Sequence, residues 1–296
     1  MNRTSKRPVV VGLDRSPQAW AAVEYAAALA ERHRQPLLLL HAYEPSQFAV
    51  RSTVGWSPDT DGVLRNVAER LVADVSDVVT GLNDSIELQT RLEPGSATEK
   101  LLAESQRATA VVLGSRGTGG FVDLLLGSTT LHVAAHARCP VIAVPAPDEE
   151  AFARRGVVVG VDGSAVSEAA IRYAFEAAAD ISEPLTALHA WYDVTRTGTG
   201  RMTPLGYDPA EVHEEERLAL AESVAGWQEK FPEVEVHQKV ALGHPVATLV
   251  RRSREARLLV VGCRGRGSVR SALLGSVSHG VLHHATVPVA VVHGAH

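Results

Sequence analysis

The chain has little from which to build covalent staples. Its 296 residues hold only two cysteines, Cys139 and Cys263, at non-equivalent places in the two halves. That excludes a disulfide framework and makes a reducing cytoplasm the expected location. Aromatic residues make up only 5% of the chain, so the core must come from Ala, Val and Leu, which suits helices packed on a buried sheet. No basic block interrupts a net charge of −5, so nucleic acid and anionic membrane surfaces are poor partners. No run approaches the roughly 18 apolar residues of a membrane span. The basic N-terminal MNRTSKR leads only into a strand-length VVVGL and then Asp14, which is not the pattern of a signal peptide. Lysine is scarce too: Lys6, Lys100, Lys230 and Lys239 are all there is.

What the chain does have, it has twice. Gly12, Asp14 and Ser16 in VVVGLDRS return as Gly160, Asp162 and Ser164 in VVVGVDGS. Gly114, Gly117, Gly127 and Ser128 return as Gly262, Gly265, Gly275 and Ser276, and His41, Gly95 and Pro140 as His189, Gly243 and Pro288. Every pair is 148 positions apart, half of the chain. A repeat of that length is a whole domain, not a solenoid unit. Two homologous domains are expected, 1–148 and 149–296, each large enough for its own core.

Each half alternates strand and helix patterns. In the first, VVVGL (9–13), LLLLHA (37–42), a stretch near 86–92, AVVLG (110–114) and PVIAV (140–144) read as strands. Ser16-Pro17 is a good N-cap and first-turn pair for the Ala-rich helix that follows. A second helix is expected from about 62 to 79. Ser96 and Glu99 form a capping-box pattern for a third, and a fourth starts near Gly127. The second half repeats the order, with strands near 157–161, 185–190, 234–240, 258–262 and 288–292. Continuous apolar strands between amphipathic helices indicate an α/β fold with a five-stranded parallel sheet per domain, covered on both faces. Ligands of such sheets bind beyond the carboxyl ends of the strands, where strand order reverses. Asp14, Ala42 and Gly114 all fall there. Two Gly/Thr/Ser/Pro-rich stretches, 44–62 and 193–209, follow the second strand of each half and are expected to be flaps over the site. Residues 145–155 are the plausible linker. The apolar final strands, PVIAVP and PVAVVH, are expected to pair the domains as a dimer's halves would, with a homodimer of chains open beyond that.

The glycine-rich segments GSRGTGGFVDLLLGST and GCRGRGSVRSALLGSV join a strand end to a helix start. Glycines let backbone N–H groups approach a phosphate, and a helix N-terminus adds unpaired donors and a favourable dipole. Ser128 and Ser276 can add a hydroxyl, and Thr129 and Val277 follow in the same first turn. Asp14 and Asp162 are placed to accept from a ribose hydroxyl or a base. A tight turn with ordinary helix caps would explain one copy, but two copies of Asp with Gly-x2-Gly-x9-Gly-Ser favour a binding site. Arg116 and Arg264 recur inside the loops, as phosphate contacts or as solvated side chains. Neither loop is a Walker loop, since neither contains lysine, and GLDRS and GVDGS are not the Rossmann Gly-x-Gly-x2-Gly. Efficient phosphoryl transfer is therefore not expected.

These paired sets resemble the ATP-binding branch of the universal stress protein family, and the tandem arrangement is like that of its two-domain actinobacterial members. The resemblance covers essentially the whole chain. It implies a fold like that of the adenine-nucleotide alpha hydrolases, one ATP per domain, with or without Mg2+, and a regulatory role in stress response or growth. It implies that Asp14 with Ala42, and Asp162 with Ala190, hold the adenosine end. Ribose and phosphates fall to Gly114, Gly117, Gly127 and Ser128, and to Gly262, Gly265, Gly275 and Ser276. Gly12 and Gly160, just before the aspartates, complete the candidate set. Cys263 departs from Ser115 in the first copy, which puts the second site's chemistry in question but not its existence. Beyond ATP and a second copy of the chain, the family's role implies protein partners that the sequence does not identify.

His132 and His136 lie four apart on a helix, as a metal pair would. Their counterparts, His279, His283 and His284, are out of register and no further ligand stands near, so a polar helix face is the better reading and no metal is expected. His41 and His189 recur at strand ends, either orienting the pocket edge or simply buried and satisfied. Two other functions compete with a nucleotide-dependent regulator. One is a slow ATPase or nucleotidyl-transfer enzyme, though adenylating relatives usually carry a histidine pair or a Ser-Gly-Gly loop that LDRS and VDGS are not. The other is a scaffold with relic sites, which intact sets in both copies oppose.

Overall fold

The computed structural model describes residues 6–43, 59–117, 126–146, 153–191, 209–265 and 274–294. The chain divides into two compact units, Met1–Pro147 and Asp148–His296. The first is built on strands β1 (Val9–Gly12), β2 (Leu37–Tyr43), β3 (Leu88–Pro94), β4 (Ala110–Gly114) and β5 (Val141–Val144). They lie in the order β3-β2-β1-β4-β5 and every pairing is parallel, with Val9 opposite both Leu37 and Ala110. All but β3 are buried along most of their length (Val9 to Val11, Leu37 to Leu40, Ala110 to Leu113, Val141 to Val144), because helices cover both faces.

Helix α1 (Pro17–His33) crosses β1, β4 and β5 and meets α2 (Asp59–Leu82), which lies on β2 and β3. On the other side, α3 (Ala97–Ser105) packs on β1 and β2 and meets α4 (Ser128–His136), which lies on β5. The face of α1 turned inward is almost wholly alanine, with Ala19, Ala22, Ala26, Ala27 and Ala30 all buried around Val23. Small side chains bring that helix close to the sheet. Ser16 caps it by accepting from the Ala19 N–H at 3.1 Å. Ser96 sits at the N-cap of α3, but the expected capping box is not formed: its side chain makes no cap hydrogen bond. The second helix is longer than expected, and β3 is shifted two residues toward the C-terminus.

The second unit repeats this plan with β6 (Val157–Gly160), β7 (Leu185–Trp191), β8 (Val236–Leu242), β9 (Leu258–Gly262) and β10 (Val289–Val292), ordered β8-β7-β6-β9-β10 and again parallel. Its helices are α5 (Ala165–Ile181), α6 (Pro209–Lys230), α7 (Pro245–Ser253) and α8 (Ser276–His284). In each unit the chain runs outward through three strands, returns, and then runs the other way. The reversal falls between β1 and β4, and between β6 and β9, which is the switch point where such sheets open a crevice. Among the described residues no helix is long and apolar enough to cross a membrane. Most of the two expected flaps, and the middle of each glycine loop (118–125 and 266–273), lie outside the described residues; 59–62 of the first flap are the start of α2.

Candidate functional site

Asp14 leaves the carboxyl end of β1 at the switch point, half-buried, and its Oδ1 accepts from the Ser16 N–H at 2.9 Å and the Ser16 hydroxyl at 2.5 Å. Ser16 Oγ also lies 3.2 Å from the Arg116 carbonyl oxygen, so the aspartate turn and the glycine loop are held together. Asp162 repeats the turn, accepting from the Ser164 N–H at 3.0 Å. The other carboxylate oxygen, Oδ2, faces the loop: a Cβ added to Gly117 would stand 2.6 Å from Asp14 Oδ2, and one added to Gly265 would collide with Asp162 Oδ2. The aspartates and the second loop glycines, 103 residues apart in sequence, are thus neighbours in both units.

The foot of each loop is clasped. The Gly127 N–H donates to the Ser115 carbonyl at 2.8 Å, and the Gly275 N–H to the Cys263 carbonyl at 2.8 Å. The clasp brings the start of α4 beside Gly117 and the start of α8 beside Gly265. Gly127 and Gly275 are N-caps without a side chain, and neither makes a side-chain cap hydrogen bond. The first-turn N–H groups, including those of Ser128 and Thr129 and of Ser276 and Val277, lie at that open end, with positive dipole character. Ser128 and Ser276 are exposed, as are Arg116 and Arg264. Ala42 and Ala190 lie half-buried near the carboxyl ends of β2 and β7.

At several of the paired positions the lack of a side chain or of a reactive one has a packing reason, Gly114 first. A Cβ there would stand 2.8 Å from the Gln18 carbonyl carbon and 3.0 Å from the Ala19 nitrogen, so glycine lets β4 end against the first turn of α1. Gly114 does not use a left-handed φ. Gly262 likewise approaches Val166, at 2.9 Å from Cγ1. Gly12 and Gly160 face the core, against Leu101 and Leu113 and against Leu249 and Val261. Cys263 contributes a backbone, not a reactive thiol: its N–H donates to the Val292 carbonyl at 2.7 Å as Ser115 does to Val144, and burial pushes its thiol up. Burial pushes Cys139 up to about 12.

Two hydroxyls that the sequence reading passed over belong to the framework. Thr130 Oγ1 donates to the Gly114 carbonyl at 2.8 Å, and Ser278 Oγ to the Gly262 carbonyl. They are themselves 148 apart, which was the available signal. His41 and His189 each donate from Nδ1 to a carbonyl, Leu13 and Val161, at 2.7 Å. His132 and His136 bond the carbonyls of Ser128 and His132. Among the described residues no three His, Cys, Asp or Glu gather as metal ligands would.

The universal stress protein family model matches residues 6–145 and again 153–293. The chain belongs to the universal stress protein family. It is 37% identical over 297 residues to a universal stress protein of Mycolicibacterium smegmatis, with 96% of each chain covered. A universal stress protein of Mycobacterium tuberculosis is 37% identical over 294 residues, covering 96% of this chain and 95% of the relative. In solved structures, a universal stress protein from Archaeoglobus fulgidus shares the fold over 96% of this chain and 95% of its own, with a TM-score of 0.68 at 22% identity. Both units therefore carry a universal stress protein domain, and the aspartate turn, clasped loop and open helix start are features of each.

Proposed function

We propose that this universal stress protein is an ATP-binding regulator with one nucleotide site per domain. The observation that carries the reading is a convergence made twice. At each switch point a half-buried carboxylate, the foot of a glycine loop and a helix N-terminus without a side-chain cap face one another. Carboxylates accept from ribose hydroxyls, and helix starts favour phosphate oxygens. Asp14 and Asp162 take the adenosine end with Ala42 and Ala190. The backbone at Gly117, Gly127, Ser128 and Thr129, and at Gly265, Gly275, Ser276 and Val277, takes the phosphates, with Arg116 and Arg264 exposed beside them. Neither loop contains lysine, so occupancy rather than turnover is the signal, read by protein partners or a second copy of the chain in the cytoplasm.

Calorimetric titration of nucleotide-free protein with ATP, with and without Mg2+, should give a stoichiometry near two, falling to one in Asp14→Ala or Asp162→Ala. No binding by the wild-type chain would overturn the reading, and undiminished binding by both variants would overturn the site.

A further inference from the structure

Helix α8 starts at the clasped loop and ends in a histidine-rich turn. His279 and His283 lie four apart on it, the spacing that puts two side chains on one helix face. Their rings meet, with centroids 4.6 Å apart and planes tilted by 53°. His279 is exposed and His283 half-buried, so the pair is open to solvent. Among the described residues neither ring has a hydrogen-bond or ion-pair partner. His284 lies farther off, its centroid 6.3 Å from that of His283.

The matching helix of the first domain arranges its histidines differently. His132 and His136 are also four apart, but each bonds a helix carbonyl through Nδ1, at 3.0 and 2.8 Å. Their rings stack nearly parallel with centroids 6.2 Å apart. Leu131 and Ala135 stand there in the places of His279 and His283. Ring separation decides what each pair can hold. Two imidazoles on one cation, with nitrogen–metal bonds of about 2.1 Å, have centroids about 4.6 Å apart at a right angle between the bonds and about 5.3 Å apart at the tetrahedral angle. The α8 pair stands at the right-angle end of that range, with both nitrogens of each ring uncommitted. The α4 pair stands outside it and has committed one nitrogen of each ring.

We infer that His279 and His283 form a site for a divalent late-transition cation, Zn2+, Ni2+ or Cu2+, clipped across one turn of α8 with water in its remaining positions. Imidazole suits all three, whereas Mg2+ is bound by oxygen ligands, so this site is separate from any cation carried by a nucleotide and does not rest on the nucleotide reading. Among the described residues no third His, Cys, Asp or Glu completes a cage, which makes the site open and exchangeable, unlike a closed structural one. A cation held by both rings binds the helical arrangement and not the frayed one, so it stabilises the end of α8.

The test titrates the full chain, purified without a polyhistidine tag and free of nucleotide, with Zn2+, Ni2+ and Cu2+. One cation should bind per chain ahead of any other, with Cu2+ the tightest of the three. Linking two ligands raises affinity by about 10²–10⁴ over one, so His279→Gln and His283→Gln should each weaken that binding by about a hundredfold. The chain carrying His132→Gln and His136→Gln should bind as wild type does. Amide hydrogen exchange in 276–284 should slow on adding Zn2+ to wild type and to the His132→Gln/His136→Gln chain, but not to His279→Gln or His283→Gln. Undiminished binding by both of the α8 variants would overturn the site, as would loss of binding in the α4 variant alone. Protection of α8 by Mg2+ as strong as that by Zn2+ would overturn the choice of an imidazole-seeking cation. With no nucleotide present, the ATP reading stands or falls on its own titration.

Discussion

The two domains share a skeleton and differ in its lining. The aspartate turn, the loop clasp, the hydroxyl tie from helix to strand and the histidine bond to the first strand's carbonyl recur between equivalent atoms in both copies. Away from that skeleton the copies diverge freely, even in sign. Glu104 of α3 is buried under Arg107, whose Nε lies 2.8 Å away, and Arg91. At the equivalent places the second domain has an exposed Arg252, Glu255 and Lys239. Backbone geometry at the switch point is what both copies needed to keep. Side chains on the flanking helices were left to specialise each half.

The largest expected effect tests whether the skeleton is as equivalent as it looks. Gly114→Ala presses a methyl group into the backbone of α1 at 2.8 Å, whereas Gly262→Ala meets the Val166 side chain first, at 2.9 Å, and backbone only at 3.2 Å and beyond. Overpacking of this kind costs about 1–3 kcal/mol, so Gly114→Ala should sit near the top of that range and Gly262→Ala near the bottom. Urea unfolding with amide hydrogen exchange resolves the two halves; equal losses would mean that the two approaches are equally rigid. A middling effect separates the linings. The Arg107 hydrogen bond, with the charges of Arg91 and Arg107, holds the Glu104 carboxyl below its ordinary value against the opposing pull of burial. A depressed carboxyl stabilises the fold above its unfolded value, near pH 4.3, and loses that contribution as pH falls through the lower folded value. Glu104→Gln should therefore cost the first domain about 1 kcal/mol at pH 7, with the deficit closing below about pH 4. A deficit that persists in acid would mean packing, not charge, is at work. The smallest effect is a control. Arg34 and Ser182 close α1 and α5 in the left-handed region, at φ 51° and 53°, where glycine is the easier fit. Arg34→Gly and Ser182→Gly should each stabilise by about 0.5 kcal/mol, and by the same amount. A difference in melting between them would show that the skeleton is not shared to the helix ends.

Much of this was legible in the sequence because the repeat filtered it. Buried parallel strands leave unbroken apolar runs, and the switch point follows from their order. β3 begins two residues later than its pattern predicts because it lies at the outer end of its unit's strand order, with exposed Gln89, Thr90 and Pro94 and no continuous apolar run to mark its limits. The capping box at Ser96 failed because the pattern fixes residue types, not the rotamer that must reach back. A recurring glycine such as Gly114 says only that something comes close, not that the neighbour includes the first turn of α1. The Glu104 cluster is invisible for the opposite reason: the comparison that exposes the shared set discards whatever one copy has alone.

The clasp from Ser115 to Gly127, matched by Cys263 to Gly275, has an architectural consequence. It fixes the two feet of a loop independently of what the loop contains. Loop-closure entropy grows slowly, by about 0.6 kcal/mol for each doubling of length, so the span can be rewritten or lengthened with little penalty to the sheet edge. The two copies have used that licence: residues 118–125 read TGGFVDLL with one acid, and 266–273 read RGSVRSAL with two arginines. The clasp makes the span a cartridge, exchangeable in charge and length while the aspartate, the second glycine and the helix start stay where they are.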